Sequence, residues 1–327
     1  MHDNRLDYRR MVGCAGNKVK FLREALLRSR LKSGLCVVGH VALASTALAM
    51  KQLGIISDYF VVLHGIEAWK RKSLLVRTAI RKASGIIATT RFTAKEFQIQ
   101  NGFSVANVFI IPLAVGEPSE CDPGPLRAAP ELRVLSVGRL DKSERYKGFD
   151  ELILAAARLR CEGIPMTLTI AGMGDDSPRL AGLATTAGAD RFVRFAGSLR
   201  EDVLQREYQT CDVFALPSAR EGFGIVFLEA MRYGKPCIGG RHGGTPEVIR
   251  DGVDGLLVEF GDVQQLVQSL KFVYEHPDEA RAMGKSSLAR FRNEFTYSVM
   301  RRRWWAAFDS IRDEGQDSLR CVASPAI

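Results

Sequence analysis

The sequence predicts an α/β protein of two domains, each built on a parallel β-sheet. Three observations predict it. Short β-branched runs alternate with amphipathic stretches along most of the chain, the pattern of right-handed βαβ units. The strand candidates tend to end in Gly or Pro (Gly138, Gly172, Gly197, Pro217, Gly239), where loops and helix starts converge at the carboxyl edge of such a sheet. The length, 327 residues, is too great for one ordinary domain of about 100–200 residues.

In chain order, a basic segment, 18–30, reads as a helix with no strand before it. A first strand series follows at 35–38, 59–63, 85–88 and 108–111, with helical patterns at 43–53, 74–83 and 93–100 between its members. The segment 116–130 carries four prolines and few large apolar residues, which makes it the expected linker. A second strand series then runs 132–137, 166–170, 192–195, 213–216, 236–238 and 256–258, with helical patterns at 149–159, 202–208, 225–233 and 263–274. The last amphipathic stretch, 296–311, holds Trp304 and Trp305 and is expected to return toward the first domain. The expected domains are therefore 1–125, 126–295 and a C-terminal helix and tail, 296–327. Four strands are few for a nucleotide-type domain, so the first domain is expected to lack its opening strands.

Composition narrows the function classes. With 46% hydrophobic and 25% charged residues, the chain is neither collagenous nor disordered nor a disulfide scaffold. Its seven cysteines are scattered without a C-x-x-C, which fits reduced thiols in a cytoplasmic setting. No apolar run reaches the ~20 residues of a membrane span, and the N-terminus lacks the apolar core of a signal peptide. The net charge of +9 is unevenly placed. Residues 1–125 hold 18 Lys/Arg against 9 Asp/Glu, whereas 126–327 hold 28 of each. That split predicts an anionic partner for the first domain only.

The strongest motif is Glu221-Gly222-Phe223-Gly224 followed by Glu229. A carboxylate follows a strand and Pro217, and a Gly-x-Gly turn then opens a helix. Glycines admit close backbone approach, and free N–H groups at a helix start suit phosphate. Glu221 is placed to accept from sugar hydroxyls, and Glu229, one to two turns into the helix, from a ribose diol. A second motif, Gly138-Arg139 with Lys147-Gly148, puts two cations at the end of another strand, a pairing suited to a diphosphate. Gly172-Met173-Gly174 ends the next strand; it is a weak G-x-G lacking the third glycine of a dinucleotide fingerprint. Gly197 and Leu199 end the strand after that, with a nucleobase or plain packing as equal readings. Gly243-Gly244-Thr245-Pro246-Glu247 reads as a tight turn with Thr245 capping a short helix. No D-x-D, H-E-x-x-H or Walker loop occurs, so no metal site is expected.

Together these motifs, with Asp212-Val213-Phe214-Ala215-Leu216-Pro217-Ser218 and Asp251-Gly252 to Gly255, resemble the donor domain of the retaining family-four glycosyltransferases over about residues 131–275. The resemblance implies a GT-B architecture of two Rossmann-like domains facing across a cleft. It implies Arg139 and Lys147 on the donor diphosphate, Glu221 on the transferred sugar, and Glu229 on the ribose. Gly138, Gly172, Gly174, Gly197, Leu199, Gly222, Phe223 and Gly224 complete the donor site. More loosely, the stretch from Leu63 to Trp69 resembles the acceptor-side loop and gives His64 an active-site role; His40 is a weaker candidate. The implied reaction is retaining transfer of a hexose, without metal or other cofactor, from a nucleotide diphosphate sugar to a glycan or polyprenyl-diphosphate-linked acceptor in cell-surface polysaccharide synthesis. Family members open with a strand and Gly-rich loop that are not found before Gly13, and Gly16-Asn17-Lys18 is no substitute. A non-catalytic donor-binding protein is therefore the alternative, with a sugar-nucleotide epimerase behind it.

The stretch 70–95 carries eight cations and no acid, and Lys70, Arg77 and Arg81 recur at spacings that share one helical face. It is read as a surface for the anionic inner face of a membrane, against the plain reading of a solvated helix. Nucleic acid is not expected, since recognition motifs and aromatic platforms are missing.

Overall fold

A computed structural model describes residues 23, 24, 27, 35–105, 107–117 and 131–321, with side chains described as far as 310. The basic segment 18–30 and the linker 116–130 fall largely outside these residues, as do Gly13 and Gly16.

The first sheet has four strands, β1 (Leu35–Val38), β2 (Asp58–Leu63), β3 (Gly85–Ala88) and β4 (Val108–Ile110), in that spatial order. β1 and β2 run parallel, with Leu35 opposite Asp58 and Val38 opposite Val61. Helices α1 (Ala44–Gln52), α2 (Leu74–Arg81) and α3 (Arg91–Asn101) connect the strands. β2 and β3 are almost wholly buried, which is why they read as continuous apolar runs rather than alternating ones.

The second sheet has six strands: β5 (Leu132–Val137), β6 (Met166–Ala171), β7 (Val193–Gly197), β8 (Val213–Leu216), β9 (Cys237–Gly240) and β10 (Gly255–Val258). Their spatial order is β10-β9-β8-β5-β6-β7, and every pairing is parallel. This is the dinucleotide-fold order, and the chain reverses direction across the sheet between β5 and β8. Helices α4 (Phe149–Cys161), α5 (Ser177–Thr186), α6 (Glu201–Thr210), α7 (Ile225–Arg232), α8 (Thr245–Val248), α9 (Val263–Glu275), α10 (Pro277–Glu294) and α11 (Tyr297–Cys321) complete the fold. The core runs from Leu132 on β5 through Phe214 and Phe227 to Phe291 and Phe295.

By contact, the chain separates into two compact units that interleave along the sequence. One holds residues 1–62, 72–87 and 103–108; the other holds 63–71, 88–102 and 109–327. The loops that leave β2 and β3, and helix α3, thus group with the second sheet, although the expected boundary assigned them to the first domain. The start of α11 also belongs there: Val115 donates to the Phe295 carbonyl at 3.3 Å and Tyr297 to the Gly116 carbonyl at 3.4 Å.

Several local expectations are corrected. Helix α2 starts at Leu74 behind the Ser73 cap, so Lys70 lies outside it and shares no face with Arg77 and Arg81. Those two arginines lie over the Phe103 ring, 5.9 and 4.6 Å from its centroid, instead of forming a purely solvated row. His40 caps the 3-10 turn Val41–Leu43 by accepting from Ala42 N–H at 3.1 Å, which is a structural use. Thr245 is not a cap; it is the first residue of α8, Gly244 precedes it as N-cap, and its hydroxyl oxygen is buried.

Candidate active site

The site forms where open parallel sheets place a ligand, outside the carboxyl ends of β5 and β8 at the reversal of strand order. Two loops meet there. The loop after β5 turns through a 3-10 segment, Lys142–Lys147, and enters α4 at Gly148. The loop after β8 runs from Pro217 to Gly224 and enters α7. Gly148 is left-handed (φ +83°), and a Cβ on it would come within 2.7 Å of the Pro217 carbonyl, so only glycine lets the loops close on each other. Two hydrogen bonds then join them: Ala219 N–H at 2.8 Å and the Ser218 hydroxyl at 3.1 Å, both donating to the Tyr146 carbonyl.

Three charged side chains occupy this junction. Glu144 is buried and pairs both with Lys147 Nζ (3.0 Å) and with the Arg139 guanidinium. Arg139 keeps 70% of its side chain exposed, whereas Lys147 keeps 14%. Arg139 also pairs with Asp141 at 3.7 Å, so the two cations sit among acids, and it is the exposed guanidinium of Arg139 that keeps donors for an anionic group. Burial pushes the Glu221 carboxyl above the ordinary glutamate range; the Lys147 charge opposes this, Glu144 adds to it, and Ser218 and Arg139 oppose it. Burial likewise pushes the Tyr146 hydroxyl up to about 12, so it stays neutral.

The loop glycines are placed by close backbone contact. A Cβ on Gly172 or Gly174 would strike the carbonyl of Gly138 (1.8 Å) or Leu140 (2.2 Å), so these turns seat the β5 loop from behind. Gly138 N–H donates to Ala171 O (3.0 Å) and Gly172 N–H to Gly197 O (2.8 Å), which aligns the ends of β5, β6 and β7. Gly197 has φ +64° and open space beside it; Leu199, half-buried, stands just before α6. The Phe223 ring is core, edge-on to Phe295 at 6.0 Å, so what it offers a ligand is backbone only. Gly224, at φ +82°, is the N-cap of α7, and no side chain caps that helix start.

Glu229 sits on α7, and its Oε2 accepts from the Tyr208 hydroxyl at 2.7 Å. Burial raises the Glu229 pKa, and the Tyr208 bond draws it back. Tyr208, on α6, is itself buried, and its ring stacks on Tyr233 at 6.2 Å. The structure thus orients Glu229 by a residue that the sequence alone does not single out.

The loops after β2 and β3 reach the same place. Gly65 and Gly222 touch backbone to backbone: a Cβ on Gly222 would lie 2.7 Å from Gly65 Cα and from the His64 carbonyl. On its other side, Gly244 would meet the Gly222 carbonyl at 2.2 Å. Glu67 Oε1 accepts from the N–H groups of His64 (2.6 Å) and Gly65 (3.1 Å), and the Thr89 hydroxyl donates to the His64 carbonyl (2.9 Å). His64 is exposed, and its backbone carbonyl lies against Gly222 on this braced turn. Glu247 grips the start of α3 with both oxygens, accepting from Arg91 N–H (2.8 Å) and Phe92 N–H (2.7 Å). The Thr90 hydroxyl bridges to Gly222 O at 3.2 Å.

Arg139, Lys147, Glu221, Gly222, Gly224 and His64 therefore converge, while Glu229 belongs to a neighbouring pair with Tyr208. Sequence reading passed over Glu144 and gave no role to Glu67 or Glu247, which stand in motifs it singled out for other residues. A signal for Glu144 was present, an acid between two expected diphosphate cations.

Residues 124–290, just over half of the chain, match the family model for glycosyl transferases group 1. The GDP-mannose-dependent alpha-(1-6)-phosphatidylinositol monomannoside mannosyltransferase of Mycolicibacterium smegmatis is 30% identical over 236 residues, 68% of this chain and 62% of that protein. The D-inositol 3-phosphate glycosyltransferase of Actinosynnema mirum is 30% identical over 250 residues, 72% of this chain and 59% of the relative. The matched region thus spans about three fifths of those curated relatives. Anabaena Alr3699/HepE, solved in complex with UDP, aligns with TM-score 0.76 at 22% identity, over 89% of this chain and 82% of that one. The lipopolysaccharide outer core galactosyltransferase WaaB, in its apo form, aligns with TM-score 0.70 at 22% identity, over 90% and 82%. At such identities the likeness is one of fold, and it is the GT-B fold. The chain belongs to the glycosyl transferases group 1 family.

Proposed function

We propose that this protein transfers a hexosyl group from a nucleotide diphosphate sugar to a hydroxyl of a glycan or glycolipid, with retention of anomeric configuration and without a metal or cofactor. The observation that carries the reading is the pair Arg139 and Lys147 sharing Glu144 at the strand-order reversal, beside Glu221. A diphosphate seated there takes the two cations from Glu144, and the uncapped start of α7 adds its free N–H groups. As the bond from the anomeric carbon to the diphosphate oxygen breaks, charge grows on the leaving oxygens next to fixed cations, the electrostatic mode of catalysis. The acceptor oxygen bonds to that carbon from the same face and gives its proton to the departing diphosphate. Glu221 holds the sugar hydroxyls, His64 lies on the acceptor side, and Glu229, set by Tyr208, takes the ribose.

The relatives named for GDP-mannose and inositol 3-phosphate, and the neighbour solved with UDP, support trying GDP-mannose and UDP-glucose first, with glycolipid and polyol acceptors. A role at a membrane fits glycolipid acceptors and is part of this proposal. No helix of the described residues is long and apolar enough to cross a membrane. Calorimetric titration with GDP and UDP, followed by turnover with the matching sugar donors, tests the reading. Glu221→Gln is expected to abolish turnover while leaving Tm unchanged or slightly raised, because a carboxylate whose pKa is raised by burial costs folding stability at neutral pH. Full turnover in Glu221→Gln would refute the assignment.

A further inference from the structure

Beside the loop that carries Glu221, the second unit holds an open cavity of about 640 Å³. Its size is within the ~300–1,000 Å³ of small-molecule sites. Three aromatic rings wall it: Trp69, Phe92 and Phe260. Lys70, Glu96, Arg220 and His242 also line it. Two of the rings are set before any ligand arrives. Phe92 meets Trp69 edge-on at 5.1 Å and 79°, and Trp69 Nε1–H donates to the Thr93 hydroxyl oxygen at 3.2 Å. His242 is steadied by Glu259, at 2.8 Å.

The cavity is continuous with the candidate active site through the backbone. Arg220 leads directly into Glu221, and Ile66, on the cavity wall, follows directly on His64-Gly65. Gly243 lies against Glu221 so closely that a Cβ on it would be 2.4 Å from the Glu221 carbonyl.

Aromatic faces together with a carboxylate, a guanidinium, an ammonium and an imidazole suit one ligand class in particular. A pyranose ring presents C–H groups on its face and hydroxyls around its rim, so it stacks on an aromatic ring while the rim takes charged hydrogen-bonding partners. An acyl chain would leave Glu96, Arg220 and His242 unanswered, and a phosphate would leave the rings unused. We propose that this cavity is a glycan subsite, binding sugar units of the acceptor that lie beyond the one receiving the hexose. The proposal rests on the glycosyl-transfer reading for the word acceptor, though not for carbohydrate binding itself.

The test is a saturation-transfer NMR titration of the full chain with mannotriose, maltotriose, galactobiose and chitotriose, with GDP and UDP affinity measured alongside. At least one saccharide is expected to bind the wild type. Phe92→Ala and Phe260→Ala should each weaken it about tenfold, Trp69→Phe should weaken it less than Trp69→Ala, and nucleotide affinity should stay within about twofold. Unchanged nucleotide affinity also certifies that the variants fold. The subsite is overturned if no saccharide of the panel binds, or if the aromatic variants bind as the wild type does. If saccharides bind through these rings but neither GDP nor UDP binds, the donor reading fails and the glycan site stands. If nucleotide binds and the rings make no difference, the subsite alone falls.

Discussion

An arginine stands near each end of strand β5, Arg133 within it and Arg139 in the loop just beyond it, and the two are used in opposite ways. At the amino end, Arg133 gives Nε and a terminal nitrogen to Asp212 at 3.1 and 2.8 Å, and its own backbone N–H to the same carboxylate at 2.9 Å. Asp212 is 8% exposed, and its hydrogen bond raises the Arg133 pKa, so the pair is closed. At the carboxyl end, Arg139 is 70% exposed and shares Glu144 with Lys147. One arginine is half-buried against a buried carboxylate; the other, mostly exposed, divides its donors between Glu144 and Asp141. A closed ion pair holds a sheet together, whereas an exposed guanidinium divided between two acids keeps donors for something outside.

The contrast makes graded predictions. Lys147→Ala should show the largest effect, a loss of roughly 10²–10³-fold in transfer rate, the cost of removing one preorganised electrostatic donor, with little change in Tm. Steady-state kinetics and thermal melts of the same sample check it. Asp212→Asn should do the reverse: stability falls by about 3 kcal/mol, since it leaves Arg133 half-buried beside a neutral group, while GDP and UDP affinity are retained. Urea unfolding monitored by tryptophan fluorescence measures that loss.

A third, intermediate effect concerns the brace under the β5 loop. Buried Asp176 accepts from Arg179 at 2.9 Å and from Arg145 at 2.8 Å, and Arg179 also reaches Asp150. These bonds, that from Arg179 foremost, hold the Asp176 carboxyl well below the ordinary range. A depressed carboxylate contributes stability above the unfolded pKa of about 4, and that stability is lost as pH falls further through the folded value. Asp176→Asn should therefore lower Tm at neutral pH and flatten the decline of Tm below about pH 4, in a melting series from pH 2 to 7. The smallest effect belongs to Glu144→Gln. It removes the acid that both Arg139 and Lys147 share, leaving Asp141 on Arg139, so UDP or GDP should bind a few-fold tighter and with a steeper salt dependence, read by calorimetry at two ionic strengths. Weaker binding would mean that Glu144 positions the cations instead of competing for them.

Much of this was legible in the residues themselves. The second sheet's strands appear within a residue or two of their expected limits because βαβ alternation and terminal glycines mark them twice. The cations and Glu221 were legible because loop position and residue type agree. Helix α10 was not: its buried face is Ala280, Met283, Gly284, Ser287, Leu288 and Phe291, so small residues dilute the apolar period. Gly284 is needed there, as a Cβ would meet the Gly234 carbonyl at 2.2 Å. The Tyr208–Glu229 bond and the Glu247 grip on α3 were illegible for another reason. They join residues 21 and 155–156 positions apart, and no local pattern announces such a pairing.

The contact of Gly222 with Gly65 and Gly244 has a consequence for the order in which the molecule is built. Its neighbouring bonds close loops of 132 positions, from Thr90 to Gly222, and of 156, from Arg91 to Glu247. Closing such loops costs chain entropy that only completed sheets can offset. During synthesis, the loops after β2 and β3 emerge long before the segment they will grip, and they must wait for it. The half of the site carrying His64 is thus assembled last, so it should open first under mild denaturant and exchange its amide hydrogens ahead of the β5–β8 core.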